Sequence, residues 1–145
     1  MSKGVKIALI LCLGALIALI ATCGGLKVWF EANKDELKNM GEEADAAGIE
    51  FGLGSDQPGC VREGLDRKDS CGAFDPMCEA EVGMFVKACL ATATPTEGFC
   101  DGVPNKTDIL ESATWAVGTC ANMGRPDDQS CGRLMQRVQE HCFSE

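Results

Sequence analysis

The chain has 145 residues, the length of one ordinary domain, with 46% apolar residues and a formal net charge of −9. Residues 28–145 hold 10 basic and 22 acidic side chains, a net of −12, which excludes the basic face that nucleic-acid phosphates require. Those averages conceal two unlike pieces: an uncharged apolar run near the N-terminus and a charged, cysteine-rich remainder.

Ile7–Leu26 (IALILCLGALIALIATCGGL) is a run of 20 residues without a charge, the length that crosses a bilayer core. Trp29 and Phe30 follow at the position of an interfacial aromatic belt. Lys3 and Lys6 precede the run and only Lys27 closely follows it, so the positive-inside rule predicts a cytoplasmic N-terminus. The length favours a retained single-pass helix in the cytoplasmic membrane, with a periplasmic or extracellular C-terminal domain. A cleaved signal peptide also fits a charged stretch followed by an apolar one, with Ala21-Thr22-Cys23 at the cleavage site. A third reading takes Ile20-Ala21-Thr22-Cys23 as a lipobox with Cys23 lipidated, although Thr22 departs from that pattern. All three readings export the rest of the chain. On a helix, Gly14, Ala18, Ala21 and Gly25 share a narrow stripe of small residues, a packing face for a second helix in lipid. Its partner would be an integral membrane protein or another copy of the chain.

Residues 31–59 form a connecting piece between an anchor at 1–30 and a domain at 60–145. Glu31–Gly48 is rich in Ala, Glu and Lys and reads as a helical, solvated stalk with a thin apolar stripe from Trp29 to Ala47. Packing against a partner is the sharper alternative for that stripe. Ile49–Gly59 (IEFGLGSDQPG) reads as a hinge or loop.

Eight of the ten cysteines follow: Cys60, Cys71, Cys78, Cys89, Cys100, Cys120, Cys131 and Cys142. That density marks a disulfide scaffold, which an exported compartment oxidises and a cytosol does not. No C-x2-C pair exists among them, which removes the zinc-knuckle, thioredoxin-like and covalent-haem patterns. Five intervals are eleven residues, close to three helical turns, which returns a side chain to the same face. Cys78, Val82, Phe85 and Cys89 form one such stripe, and Cys131, Met135, Val138 and Cys142 another. Ile109, Ala113, Ala116 and Cys120 follow the same offsets. Cys60–Cys71 is a poorer helix, with Gly64 and Arg67 on its stripe, and Pro95 and Gly98 prevent one from Cys89 to Cys100.

Punctuation agrees with three of these helices. Asp75-Pro76 reads as N-cap and first-turn proline, and Asp108 with Glu111 as a capping box. Gly124 suits a C-terminal cap, and Asp127 and Asp128 suit a helix's first turn. No run alternates with period two, so the fold class is all-α: an N-terminal transmembrane helix and a small disulfide-stapled helical domain of three or four helices. Laying the Asp75 and Asp127 helices antiparallel predicts Cys78–Cys142 and Cys89–Cys131. A parallel pair predicts Cys78–Cys131 and Cys89–Cys142. Cys60, Cys71, Cys100 and Cys120 then pair among themselves in an open order.

Paired C-x10-C helices resemble the twin C-x9-C helical hairpins of mitochondrial intermembrane proteins, with one residue more per interval. The whole layout, with Gly98-Phe99-Cys100-Asp101-Gly102-Val103-Pro104 and the later Cys-Gly-Arg-Leu, resembles small uncharacterised single-pass bacterial membrane proteins with a cysteine-rich exported domain. That resemblance implies a periplasmic setting and supplies no activity.

Catalytic chemistry has few candidates. His141, the only histidine, reads as an exposed helix-end residue favourable to the dipole. Glu42-Glu43, Glu79/Glu81 and Asp127-Asp128 read as solvated faces or caps. Asp66-Arg67-Lys68-Asp69 lacks the ligands of a calcium loop, and Asn105-Lys106-Thr107 is a glycosylation sequon only in a eukaryotic secretory cell. The expectation is therefore a non-enzymatic accessory or structural subunit of a membrane complex, without cofactor or metal. An anchored binding or sensor module is the first alternative, and a thiol-disulfide redox protein the second.

Overall fold

The computed structural model describes the backbone at residues 3–72 and 75–144, and side chains at 24, 25, 27 and 28 and, residues 29, 73 and 74 apart, from 30 to 144. Five helices follow in order: α1 (Lys3–Leu53), α2 (Gln57–Asp69), α3 (Pro76–Thr92), α4 (Ile109–Asn122) and α5 (Gln129–Cys142). Among the described residues no strand occurs, only an isolated bridge between Asp56 and Thr94. The described residues contain no helix long and apolar enough to cross a membrane. Most side chains of the run Ile7–Leu26 lie outside them, and so do Gly14, Ala18, Ala21 and Cys23. Gly25 is exposed, with open space where a Cβ would stand.

The chain divides into two units, 1–39 and 40–145. The first holds the larger part of α1, with an exposed Lys34–Glu31 ion pair of 3.2 Å. In the second, the end of α1 corrects the expectation of a solvated stalk and of a loop from 49 to 59. Helix continues to Leu53, and Ala44, Gly48 and Gly52 are buried along one face. A Cβ on Gly48 would stand 2.4 Å from the Phe85 carbonyl oxygen, and one on Gly52 2.6 Å from that of Cys89. These glycines let α1 lie backbone to backbone on α3, which offsets their cost to the helix of about 1 kcal/mol each. Phe51 then meets Phe85 with ring centroids 5.9 Å apart. Only Gly54 to Asp56 remain as a turn.

The segment Asp56-Gln57-Pro58 opens α2 rather than closing a hinge. Asp56 caps it, its carboxylate accepting from Gly59 N–H at 2.7 Å, and proline occupies the first turn. Gly64 and Arg67, which weakened the helical reading of this stretch, are what seat it. A Cβ on Gly64 would fall 2.3 Å from Val86 Cγ2, beside Leu134, so α2, α3 and α5 converge there. The Arg67 guanidinium lies 3.8 Å from the centre of the Phe85 ring.

Helices α3 and α4 begin and end as their punctuation predicts, whereas at α5 Asp128 is the N-cap and Asp127 precedes it at φ +63°, which corrects their placement in the first turn. Asp75, Asp108 and Asp128 each accept first-turn N–H groups of α3, α4 and α5. Gly124, at φ +77°, ends α4 with a bond from Gly124 N–H to Ala121 O and another from Arg125 N–H to Cys120 O. Phe85, Val86, Leu90, Leu134, Met135 and Val138 form the centre of the core, with Cys60, Cys89 and Cys131 fully buried among them.

Four disulfides join the eight cysteines: Cys60–Cys89, Cys71–Cys78, Cys100–Cys142 and Cys120–Cys131. This corrects the expected pairing of the α3 and α5 cysteines in either direction. A twice-stapled antiparallel hairpin does form, but between α2 and α3. Helix α5 runs parallel to α3 instead, with Arg133 bonded to Glu79 and Arg137 lying over Gly83. The cysteines of α3 point to α2, while α5 meets α3 through apolar side chains on another face. Cysteine spacing identified the inward faces of α3 and α5 and could not say which neighbour each face meets.

Candidate functional site

Helix α4 is rich in apolar side chains, and several of them point away from the core. The stripe Ile109, Ala113, Ala116 and Cys120 does not lie inward as a whole: Ala116 and Cys120 are buried, whereas Ala113 is exposed and Ile109 is 82% exposed. The inward edge is rotated toward Ser112, Trp115 and Thr119 because a polar contact sets it. Gln139, buried on α5, donates from Nε2 to Ser112 Oγ and to Pro104 O, both at 2.7 Å. At the other end the Cys120–Cys131 bridge ties α4 to α5. Between these two anchors the outer side presents Ile109, Leu110 (78% exposed) and Val117 (61% exposed), with Ala113 between them. Glu111 is the one charged side chain on the helix.

The loop Thr94–Asp108 borders this face. Gly102 and Pro104 line a hollow of about 410 Å³ with Leu110, Thr114 and Trp115. The loop is held by Thr94 N–H to Ser55 O at 2.9 Å, Thr96 N–H to Gln57 Oε1 at 2.9 Å, the Cys100–Cys142 bridge, Gln139 to Pro104 O, and Ser112 Oγ to Asn105 O at 3.3 Å. His141 belongs to this arrangement, which corrects its reading as an exposed helix end. It is half-buried, 2.8 Å from Gln57 Nε2 and edge-on to Phe99 at 6.3 Å between ring centroids. Burial holds its pKa below the usual histidine value.

Of the carboxylates singled out by sequence, Glu79, Asp69 and Asp128 serve structure. Glu79 Oε1 accepts from Lys68 Nζ at 2.8 Å and from Arg133 at 2.9 Å, and the Lys68 bond is the main cause of its lowered pKa. Arg125, in the α4–α5 turn, holds Asp69 at the end of α2 and Asp128 at the start of α5. The Arg125 hydrogen bond is the first cause of the lowered Asp69 pKa. At Asp128, burial pushes the carboxyl up, but the Cys131 N–H and Arg125 outweigh it and the pKa falls. Among the described residues no group of three or more His, Cys, Asp or Glu is arranged to hold a metal ion.

The four disulfides separate into two classes by exposure. Cys60–Cys89 and Cys120–Cys131 are buried, whereas Cys71, Cys78 and Cys142 are half-exposed and Cys100 is exposed. Sequence reasoning passed over Gln57, Gln139 and the outward face of α4. The last had a signal: Leu110 and Val117 fall outside the stripe that ends at Cys120, on an otherwise apolar helix. Comparison with family models, with curated proteins and with solved structures finds no match to this chain.

Proposed function

We propose that this chain is a membrane-anchored accessory subunit whose exported domain docks on a larger integral membrane protein through the outer face of α4. The run Ile7–Leu26 is the single span, with Lys3 and Lys6 on the cytoplasmic side and the stapled domain outside, periplasmic in a bacterium. Four disulfides suit that oxidising side.

The observation that carries the docking is the exposure of Ile109, Leu110 and Val117 together on one helix. Covering each such side chain contributes about 1.5–3 kcal/mol. A contiguous apolar face rimmed by polar loop marks an interaction site rather than scattered surface residues. A different protein is favoured over a second copy by charge. Residues 40–145 hold 8 basic and 19 acidic side chains, a net of −11, so two copies repel while a neutral or basic partner does not. Glu79, Asp69, Asp128 and His141 are bound up in caps, ion pairs and the loop ties, which supports a non-enzymatic role for them.

Purification of the full chain in mild detergent, followed by mass spectrometry, tests this reading. A stoichiometric membrane protein is expected with the natural sequence. It should be lost in Leu110→Asp/Val117→Asp and kept in Leu53→Asp, which places the same charge on an exposed leucine outside α4. Recovery of the chain with itself alone, or equal recovery by both variants, contradicts it.

A second reading, thiol-disulfide exchange, has one observation in its favour: Cys71 and Cys78 are half-exposed and only seven positions apart. Reduction of this bridge by the glutathione pool with the other three intact would support it.

A further inference from the structure

The Gln57 side-chain amide has two partners whose chemistry fixes which way it faces. Its Oε1 accepts from Thr96 N–H at 2.9 Å, and its Nε2 lies 2.8 Å from His141 Nε2. A main-chain N–H only donates, so the amide oxygen must face Thr96 and the –NH2 must face the ring. His141 Nε2 is therefore an acceptor, and the ring is neutral with its proton on Nδ1.

We propose that His141 is an acid-released latch on the loop Thr94–Asp108, and through that loop on the α4 docking face. Protonating Nε2 sets an N–H against the amide –NH2. Turning the amide to satisfy the imidazolium only moves the conflict to Thr96 N–H, so one part-buried hydrogen bond is lost either way. Gln57 is 8% exposed, so water is poorly placed to substitute. The disturbance enters the loop at three adjacent points: Thr96, Phe99 against the ring, and Cys100, bonded to the residue after His141. Gly102 and Pro104, the rim of the hollow beside Leu110 and Trp115, come next along the chain. The disulfide keeps the loop attached, so acid loosens it without detaching it.

The titratable groups on the elements around the ring do not reverse this. On α2, Asp56 is held by Gly59 N–H and by Arg62 at 3.8 Å. The loop carries Glu97 and Asp101, and on α5 Arg137 pairs with Glu140 at 2.8 Å. Burial alone depresses His141 below its ordinary value of 6.5. For a depressed histidine the stabilisation is complete above the ordinary value and is lost as pH falls through the lower value of the folded state. The latch is closed at neutral pH and opens as pH falls below the ordinary histidine value.

The chemistry of the latch stands apart from the docking reading, and only its consequence rests on it. Nitrogen NMR of the full oxidised chain in detergent micelles tests it, reading the His141 ring and the order of residues 96–103 from pH 8 to pH 4.5. The expected result is the Nδ1–H form at neutral pH and loss of loop order in acid, while α2 and α3 stay ordered. Gln57→Glu supplies one acceptor oxygen to Thr96 and another to a protonated ring. It should raise the His141 proton affinity at least tenfold and invert the response of the loop. An Nε2–H ring in the natural protein at pH 8, or the same loop response in Gln57→Glu, overturns the latch. Expected ring chemistry with unchanged loop order overturns its coupling to the loop, whereas expected loop behaviour without any partner at α4 removes the docking reading alone.

Discussion

Gly48 and Gly118 are both mid-helix glycines, and the structure treats them oppositely. A Cβ on Gly48 would strike the Phe85 carbonyl and Ala88, whereas one on Gly118 meets nothing within 4 Å. The first belongs to the side of the domain where α1, α2, α3 and α5 close on buried apolar side chains and the Cys60–Cys89 bridge. The second belongs to α4, where apolar residues face outward and glutamine side chains and an exposed disulfide hold the neighbouring loop. The difference separates residues that build the fold from residues left available to a partner.

The sharpest break on the closed side is Cys60→Ala/Cys89→Ala. Opening that loop should cost about 3–5 kcal/mol, read as a lower denaturant midpoint against the fully oxidised protein. Next in size, Gly48→Ala should destabilise by about 1–3 kcal/mol through overpacking against α3, although helix propensity alone would favour it by about 1 kcal/mol. Gly118→Ala should show that propensity gain unopposed, about 0.5–1 kcal/mol of added stability. Leu110→Asp and Val117→Asp should each change stability by less than about 0.5 kcal/mol, the ordinary size for a surface position. Equal penalties at Gly48 and Gly118 in thermal or denaturant unfolding would erase the contrast.

Much of the closed side was legible in the sequence. The stripes Cys78/Val82/Phe85/Cys89 and Cys131/Met135/Val138/Cys142 mark inward faces, and the Asp75 cap sets the start of α3, as Asp108 and Gly124 set the ends of α4, because their chemistry is local. What depended on neighbours was not. Gly64 read as a helix weakener, Gly48 as the end of a stalk and Gly52 as part of a loop, and only the approach of α3 turns all three into contacts. Disulfide pairing failed for the same reason: a face shows that a cysteine is turned inward, not which helix stands opposite. The exposed apolar face of α4 was partly visible as surplus apolar residues on that helix. The His141 latch was not, since Gln57 lies 84 positions away and nothing in its local sequence foretells burial.

The claim that α4 is the docking face meets its most direct test in site-specific photo-cross-linking of the full oxidised chain in its native membrane. A photoreactive residue placed in turn at Leu110, Val117 and Leu53 samples three exposed apolar positions of similar reach. The account predicts one integral membrane protein captured from Leu110 and Val117 and absent from Leu53. No adduct from α4, or the same adducts from all three positions, would contradict it.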